Sequence, residues 1–203
     1  MYIILMFIHQ IFLPVSNSTL QDYPIFIESS SVWQNFSSLH NYEYKLWNIE
    51  QVDELLRSKN LPTSFRYIWN KIDFCRYVIL NEYGGLYVDL DIFPTNDFNK
   101  ILVNNDILIN SWFNKKTNKM EINNGLMKFK KNSLHSLIDY SLQQYDEKSK
   151  MKIYNTWKIR FFLQTTGNRM FQRWCKQQLL TYNKDIENYI TDKNTKTWLK
   201  SFC

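Results

Sequence analysis

The sequence predicts an α/β domain built around a mainly parallel sheet. Three observations indicate this class: predicted strands alternate with predicted helices, the longest helix is followed directly by a short apolar strand, and 203 residues suffice for one domain. A chain of this length buries about 70% of its unfolded surface, so it needs no disulfide or metal to stabilise its fold. We therefore expect a single domain over residues 1–203.

The predicted elements follow from local patterns. Ile3–Phe12 is an apolar run that indicates a strand buried on both faces. A helix over Ser29–His40, a strand over Tyr44–Trp47 and a short helix over Glu50–Lys59 follow it. The C-terminal half contains one extended segment and three helices, predicted at Ile101–Trp112, Leu134–Tyr145, Thr156–Leu163 and Asn168–Leu180.

The clearest helix is predicted over about Ser64–Glu82. Its apolar residues recur at helical spacing and form one buried stripe, which comprises Phe65, Ile68, Trp69, Ile72, Cys75 and Ile79. Gly84 and Gly85 end this helix, because a left-handed C-terminal cap favours glycine. Asp73 and Arg76 share a second helical face, away from the stripe. A surface ion pair and a pair that meets a phosphate both fit this spacing.

Asp89 and Asp91 carry the most informative chemistry, at the end of a strand predicted over Leu86–Ile92. Alternate strand residues share a face, so Tyr87 and both carboxylates would point one way. Two such carboxylates are tolerable where a cation lies beside them, and oxygen ligands suit Mn²⁺ or Mg²⁺. The carboxyl ends of strands are where open α/β sheets bind ligands, including a metal-held diphosphate. Capping of the strand end without a metal is the open alternative.

The charge is concentrated in one stretch. The chain carries a net charge of +6, and Lys115–Arg160 holds 11 basic and four acidic residues. This stretch is either a solvated face or a patch for an anionic partner, and together with the seven tryptophans of the chain it raises nucleic acid as a candidate. No nucleic-acid-binding motif supports that hypothesis, which ranks last among the functions considered. His9, His40 and His135 lie far apart, and we expect His9 to be a hydrogen-bonded core residue.

Cysteine usage and the N-terminus bear on the compartment. Cys75, Cys175 and Cys203 show no metal-ligand or disulfide spacing, which is typical of a reducing compartment. The apolar N-terminal stretch is interrupted at His9 and Gln10 and is too short to span a bilayer. We expect a soluble, cytoplasmic protein with no membrane span. The Golgi lumen is the alternative if the N-terminal stretch acts as a signal.

Glycosyltransferase family 32 is the family that the sequence resembles. Its DXD sugar-binding region is similar to Lys71-x-Asp73-x-x-Arg76-Tyr77 followed by Tyr83-Gly84-Gly85-x-Tyr87-x-Asp89-x-Asp91. The family includes the initiating α-1,6-mannosyltransferases, and the large clostridial glucosylating toxins are more distant relatives. Further similarity lies, in the same order, at Ile8–Phe12, Asn41–Trp47, Glu121–Gly125 and Thr165–Asn168. The resemblance covers roughly residues 5–170.

The resemblance implies a GT-A-like (Rossmann-like) fold and a retaining glycosyltransferase that depends on Mn²⁺ or Mg²⁺. It also implies a UDP- or GDP-sugar donor and a glycan or protein acceptor. By this resemblance, Asp91 would bind the metal directly, and Asp89 would face the ribose and the metal. The implied donor-binding residues are Trp47 beside the base, Asp73 and Arg76 at the sugar or diphosphate, Asn124 and Gly125 beside the sugar, and Tyr77, Gly84, Gly85 and Tyr87.

The sequence departs from the family at several positions. Phe12 replaces the family's Trp, and Asn168 replaces the Pro of its TGP turn. The family usually closes with a His-rich stretch that can complete the metal site, but no His follows His135, and Trp198 is the candidate remnant of the closing Trp. The tail at about 181–203 is therefore predicted to be shortened or divergent. A non-catalytic sugar-nucleotide-binding protein of the same fold is the alternative function.

Overall fold

The computed structural model describes residues 6–14, 18–114, 118–155, 157–183 and 185–193. The last ten residues of the predicted divergent tail, which include Trp198, lie outside these ranges. The strands are β1 (Phe7–Ile11), β2 (Glu43–Trp47), β3 (Gly85–Val88), β4 (Ile92–Pro94), β5 (Leu108–Asn114), β6 (Lys119–Phe129) and β7 (Ile190–Asp192). The α-helices are α1 (Pro24–His40), α2 (Ile49–Ser58), α3 (Ile68–Tyr83), α4 (Phe98–Asn104), α5 (His135–Ser149), α6 (Lys158–Thr165) and α7 (Asn168–Gln177). Short 3-10 turns occupy Leu20–Asp22, Lys152–Asn155 and Ile186–Asn188.

The central sheet has the strand order β2-β1-β3-β6-β5. β1 pairs in parallel with β2 and β3, whereas β6 pairs antiparallel with both β3 and β5. Four of the five strands therefore run in one direction, which confirms the predicted α/β class and its mainly parallel sheet. β4 and β7 form a separate antiparallel pair.

An apolar core lies on each face of this sheet. Leu86 and Val88 of β3 pack with α1 and α4 residues such as Trp33 and Phe98. The intervening Tyr87 points to the opposite core, which α2, α3, α5 and α7 cover. The alternation of apolar residues in β3 thus places helices on both faces of the sheet, as expected for a strand in the middle of an α/β domain.

Two predicted segments differ from the structure around α3 and β3. α3 begins at Ile68 rather than near Ser64, and Tyr67 is its N-cap residue. The strand predicted over Leu86–Ile92 is wrong as a single element, because β3 ends at Val88 and the chain turns at Leu90 and Asp91 before β4. The Ile92 amide donates to the Asp89 carbonyl across this turn (3.2 Å). Strand alternation therefore does not relate Asp89 to Asp91.

The prediction that the whole segment Ile101–Trp112 is extended is wrong for its first part. Its first part belongs to α4, where Phe98 and Leu102 are buried at helical spacing, and β5 begins only at Leu108. β6 was not predicted at all. The other predicted helices and the strand at Tyr44–Trp47 are confirmed to within a few residues at their ends. The largest difference is at the start of α1, which begins five residues before the predicted Ser29.

His9 is a buried core residue, as predicted. Its Nε2 donates to the Gly84 carbonyl (3.0 Å), and its Nδ1 accepts from Trp47 Nε1 (3.3 Å). A neutral ring, with one donor nitrogen and one acceptor nitrogen, makes both hydrogen bonds. Removal from water lowers the pKa of His9 from 6.5 to about 4. The structure therefore favours neutral His9 over most of the acidic range.

Acid destabilisation that depends on His9 is one testable consequence. The unfolded chain binds a proton at His9 near pH 6.5, whereas the folded chain binds it near pH 4. This contribution to stability is therefore fully present above pH 6.5 and declines as the pH falls towards 4. In urea unfolding, we expect the stability of the wild type to fall by about 2–3 kcal/mol more than that of His9→Gln between neutral pH and pH ~4.5. Parallel pH profiles for the two proteins would contradict this account.

Among the described residues, no helix is both long enough and apolar enough to cross a lipid bilayer.

Candidate functional site

A cleft of about 610 Å³ opens at the carboxyl ends of β1 and β3. Phe12 follows β1 and lines one side of the cleft, while Asp89 and Asp91 follow β3 and line its floor. Asp73 and Arg76 reach the cleft from α3. This edge of the sheet is where α/β folds bind ligands, so the topology brings the predicted carboxylates to the expected place.

Arg76 is the centre of the network beneath the cleft. Its Nη2 lies 2.7 Å from Asp73 Oδ1, and its Nη1 lies 3.3 Å from Asp89 Oδ1. Nη1 also donates to the Asn124 carbonyl (2.8 Å), and the guanidinium lies 4.7 Å from the centre of the Tyr87 ring. Arg76 and Asp73 are 5% and 2% exposed, so the surface ion pair considered from the sequence is wrong. The pair is buried because neighbouring elements cover α3 on all sides from residue 70 to 81.

The carboxylates of this network have raised pKa values, so they ionise at a higher pH than exposed carboxylates do. Burial raises the pKa of Asp73 to about 7. The charge of Arg76 lowers this pKa, whereas the charge of Asp89 raises it. Burial also raises the pKa of Asp89 to about 6, with a further upward contribution from Asp91. One buried oxygen, Asp73 Oδ2, accepts no hydrogen bond from the part of the chain that the structure describes. A cation in the cleft would stabilise the charged carboxylates.

Asn124 connects β6 to the helices behind the cleft. Its Nδ2 donates to Asp73 Oδ1 (3.2 Å) and to the Tyr77 hydroxyl (2.8 Å). Tyr77 in turn donates to the Thr166 carbonyl (2.7 Å), and the Asn124 amide donates to Asn168 Oδ1 (3.0 Å). Tyr77 is fully buried and is absent from the cleft wall, so it supports Asn124 rather than facing a ligand.

Gly125 lets β6 approach the turn that carries Asp89. The Asp89 amide donates to the Gly125 carbonyl (2.7 Å), and a Cβ on Gly125 would lie 2.6 Å from Asp89 Oδ2. Any larger residue would therefore displace this carboxylate. Tyr87 adds a second constraint, because its hydroxyl donates to Asp89 Oδ1 (2.7 Å).

Three residues expected to contact a donor lie elsewhere. Gly84 and Gly85 are at the amino end of β3, opposite the cleft, where their positive φ angles of 70° and 94° form the turn from α3. A side chain at Gly85 would overlap the Phe7 carbonyl, so close packing explains its presence. Trp47 is buried beside His9, with Lys45 Nζ 3.6 Å from its ring centre, and is absent from the cleft wall. The structure does not bring these three residues to the cleft wall.

An aromatic group that was not predicted lies at the cleft. Phe12 and Tyr23 line it with their ring centres 6.0 Å apart, and Tyr23 stacks on Phe26 at 5.0 Å. Phe12 occupies the position of the family's Trp. An aromatic residue at this position could have predicted an aromatic contact at the cleft. Tyr23 precedes α1 and is brought to Phe12 only by the tertiary fold.

Asp192 is a further carboxylate on the cleft wall that was not predicted. Pairing of β7 with β4 aligns it with Ile92, next to the turn of Asp89 and Asp91. Among the described residues, no group of three His, Cys, Asp or Glu side chains has the arrangement of a metal site. Mg²⁺ in proteins, however, commonly uses only one or two carboxylates together with substrate phosphates and water. Asp89 and Asp91 therefore fit an ion of this kind, whose remaining ligands come from a bound substrate.

The opposite side of the cleft is polar and partly aromatic. Trp112 is 42% exposed there, and Asn114 Nδ2 donates to Glu121 Oε1 (2.7 Å) on the neighbouring strand. Arg169, in the first turn of α7, adds a positive charge to the wall. The cleft thus combines a carboxylate floor, an aromatic side and hydrogen-bonding groups suited to a polar ligand.

Two family models match the sequence. The model for the glycosyltransferase sugar-binding region containing a DXD motif matches residues 4–113. The model for the TcdA/TcdB catalytic glycosyltransferase domain matches residues 69–174. Each match covers more than half of the chain. No curated protein matches the sequence.

Solved structures with similar folds are glycosyltransferases. The PaToxG glycosyltransferase has a TM-score of 0.56 at 13% identity, over 86% of this chain and 70% of that one. A glycosyltransferase involved in glycosylation of the major capsid of PBCV-1 has a TM-score of 0.44 at 12% identity, over 70% and 68%. The catalytic domain of alpha-toxin from Clostridium novyi has a TM-score of 0.42 at 11% identity, over 75% and 59%. The first similarity confirms the GT-A-like fold class.

Proposed function

Because this chain belongs to the family of glycosyltransferases whose sugar-binding region contains a DXD motif, we propose that it transfers a sugar from a nucleotide-diphosphate donor to a glycan or protein acceptor. The position of Asp89 and Asp91 on the floor of the cleft carries this proposal. The proposal includes dependence on Mn²⁺ or Mg²⁺, retention of anomeric configuration and the narrower resemblance to family 32.

Asp91 and Asp89 are the residues that would hold the metal, and Asp192 is an additional carboxylate on the cleft wall. A bound divalent ion would supply positive charge that stabilises the departing diphosphate. The all-oxygen donor set of these carboxylates supports its fit.

Arg76 and Tyr87 fix the orientation of Asp89. Both contact the same oxygen, Oδ1, at 3.3 Å and 2.7 Å, so the carboxylate has little freedom to rotate. Arg76 is itself held by Asp73 and by the Asn124 carbonyl. We infer that this buried network prepares Asp89 before the donor arrives, which reduces the reorganisation needed for transfer.

The donor would extend along the cleft from its aromatic side to the carboxylates. We expect the nucleobase against Phe12 and Tyr23, since flat aromatic rings favour such contacts. The sugar would lie near Asn124, whose side chain is already ordered by Asp73 and Tyr77. This arrangement replaces the base contact that the resemblance implied for Trp47.

Transfer forms a bond between the acceptor oxygen and the anomeric carbon while the bond from that carbon to the diphosphate breaks. In the retaining reaction that we propose, the acceptor attacks from the face that the diphosphate leaves. An oxygen of the departing diphosphate can take the acceptor's proton, so the chain need not supply a general base. Its residues would orient the two reactants in the cleft.

The compartment belongs to the same proposal. Cys75 and Cys175 are both free thiols and buried, which is compatible with a reducing compartment such as the cytoplasm.

Donor binding without turnover is the second candidate function. The observation that favours it is the lack, among the described residues, of a three-ligand group for a metal. Weak metal affinity would leave the donor bound and intact. This candidate predicts a calorimetric binding signal with a nucleotide sugar and no release of nucleoside diphosphate.

The test is release of nucleoside diphosphate from a panel of UDP- and GDP-sugars. We expect release from one donor with Mn²⁺ present, and its loss when a chelator is added. No acceptor is required if water replaces it slowly. Calorimetric binding without release would favour the second candidate, whereas neither binding nor release with any donor would contradict both.

A further inference from the structure

A basic surface with exposed apolar side chains lies outside the cleft, over Lys148–Arg160. We call it the basic-apolar surface. It has no acidic residue, and its basic residues are Lys148, Lys150, Lys152, Lys158 and Arg160. Its apolar side chains are exposed to similar extents: Met151 by 51%, Ile153 by 49%, Trp157 by 45% and Ile159 by 40%. Glycosyl transfer in the cleft does not account for these residues, none of which lines it.

Local turns keep the backbone of this stretch compact. The Tyr154 amide donates to the Met151 carbonyl (3.1 Å), and the Trp157 amide donates to the Ile153 carbonyl (3.3 Å). Tyr154 points inward, where its hydroxyl donates to Gln164 Oε1 (2.6 Å). This inward anchor leaves the flanking apolar residues on the outside of the fold.

Trp157 is held at the surface by a charged neighbour. The Arg160 guanidinium lies 4.8 Å from its ring centre, which is close enough for a cation–π contact. The indole therefore stays exposed with a positive charge beside it. Trp combined with Lys and Arg is typical of protein surfaces at the boundary between lipid and water.

The composition of this surface distinguishes an anionic lipid from nucleic acid. Both are negatively charged, so the lysines suit either. Met151, Ile153 and Ile159 are aliphatic and have no flat ring to stack on bases, whereas acyl chains can accept them. Clustered Lys and Arg gain affinity near anionic headgroups, and their long stems can lie along the apolar region. We propose that the basic-apolar surface docks this chain peripherally on bilayers that contain anionic lipid.

Cosedimentation with lipid vesicles tests this proposal. We expect the full chain to bind phosphatidylcholine vesicles at least about tenfold more tightly when they contain phosphatidylserine. Lys150→Gln/Lys152→Gln should weaken that binding about tenfold or more, and high salt should do the same. Trp157→Ser/Ile159→Ser should also weaken it about tenfold, because two apolar anchors are removed.

Matched variants elsewhere on the surface provide the controls. Lys119→Gln/Lys131→Gln removes the same charge from two other exposed positions, and Leu39→Ser/Val103→Ser removes exposed apolar side chains. Both should bind vesicles within about twofold of the wild type, and circular dichroism should show all variants folded. Equal binding to neutral and anionic vesicles would overturn the proposal. So would equal losses in the control variants, or binding to an RNA or DNA duplex without binding to vesicles.

Discussion

Replacing Asp91 by Asn is expected to reduce metal-dependent release of nucleoside diphosphate by about 10³-fold or more. The change keeps the shape of the side chain but removes one of the two proposed anionic ligands, and charge stabilisation by a metal supplies several kcal/mol of transition-state stabilisation. The backbone should be undisturbed, because the Asp91 carbonyl still accepts from the Lys193 amide (2.9 Å). The measurement is the release rate from the active donor with Mn²⁺.

Asp139→Asn is the matched control for this variant. Asp139 is exposed on α5 and does not line the cleft, so the same loss of charge should leave release within about twofold of the wild type. Thermal unfolding should show both variants folded. Retained release in Asp91→Asn would remove Asp91 from the metal site and would contradict the assignment.

Replacing Arg76 by Met is expected to lower the free energy of unfolding by about 3–5 kcal/mol at neutral pH. The side chains are similar in length, but the buried Asp73 carboxylate and the partly exposed Asp89 carboxylate lose their common cation, which is a costly change inside a protein. The pKa of Asp73 and of Asp89 should rise further without this charge. A carboxylate with a raised folded-state pKa destabilises the fold as the pH rises, so the loss should be larger at pH ~7 than at pH ~5.

Arg57→Met is the matched control, because it replaces an arginine that has no role in the buried network. Arg57 is exposed in the last turn of α2, and its replacement should change stability by about 0.5 kcal/mol or less. Urea unfolding of both variants at the two pH values gives the comparison. A similar cost for both variants, or a loss in Arg76→Met that does not change with pH, would contradict the role of Arg76 as the buried counter-charge.

Local pattern was sufficient to predict the position of the site. The apolar stripe of α3, the glycines after it and the apolar alternation at Leu86 and Val88 are all short-range signals. They predict a helix followed by a buried strand, and the carboxyl end of that strand is where the cleft opens. Asp89 and Asp91 could therefore be expected at this end of the sheet, although their strand ends four residues earlier than predicted.

Burial of the Asp73–Arg76 pair could not be predicted from α3 alone. Helical spacing shows that the two residues share a face, but the elements that cover this face are distant in sequence. Asn124 comes from β6, and Gly167 lies between α6 and α7, where its Cβ would be 3.1 Å from Asp73 Oδ2. A surface pair and a buried pair have the same spacing along the chain, so tertiary contacts decide between them.

Non-local pairing also explains why Asp192 was missed. β7 has only three residues, too few for a recognisable alternation, and it joins β4 about a hundred positions away. β6 was not predicted because its first half, Lys119–Asn124, is rich in polar residues although it lies in the central sheet. Burial of such segments depends on neighbouring strands rather than on their own composition.

The most direct test of the account is to locate Mn²⁺ by anomalous diffraction in crystals of this chain grown with the active nucleotide sugar or its nucleoside diphosphate. The account predicts a peak in the cleft, in contact with the Asp91 carboxylate and the diphosphate, with the base beside Phe12 and Tyr23. A nucleotide bound in the cleft without a peak at Asp91, or a peak bound away from both Asp89 and Asp91, would contradict it.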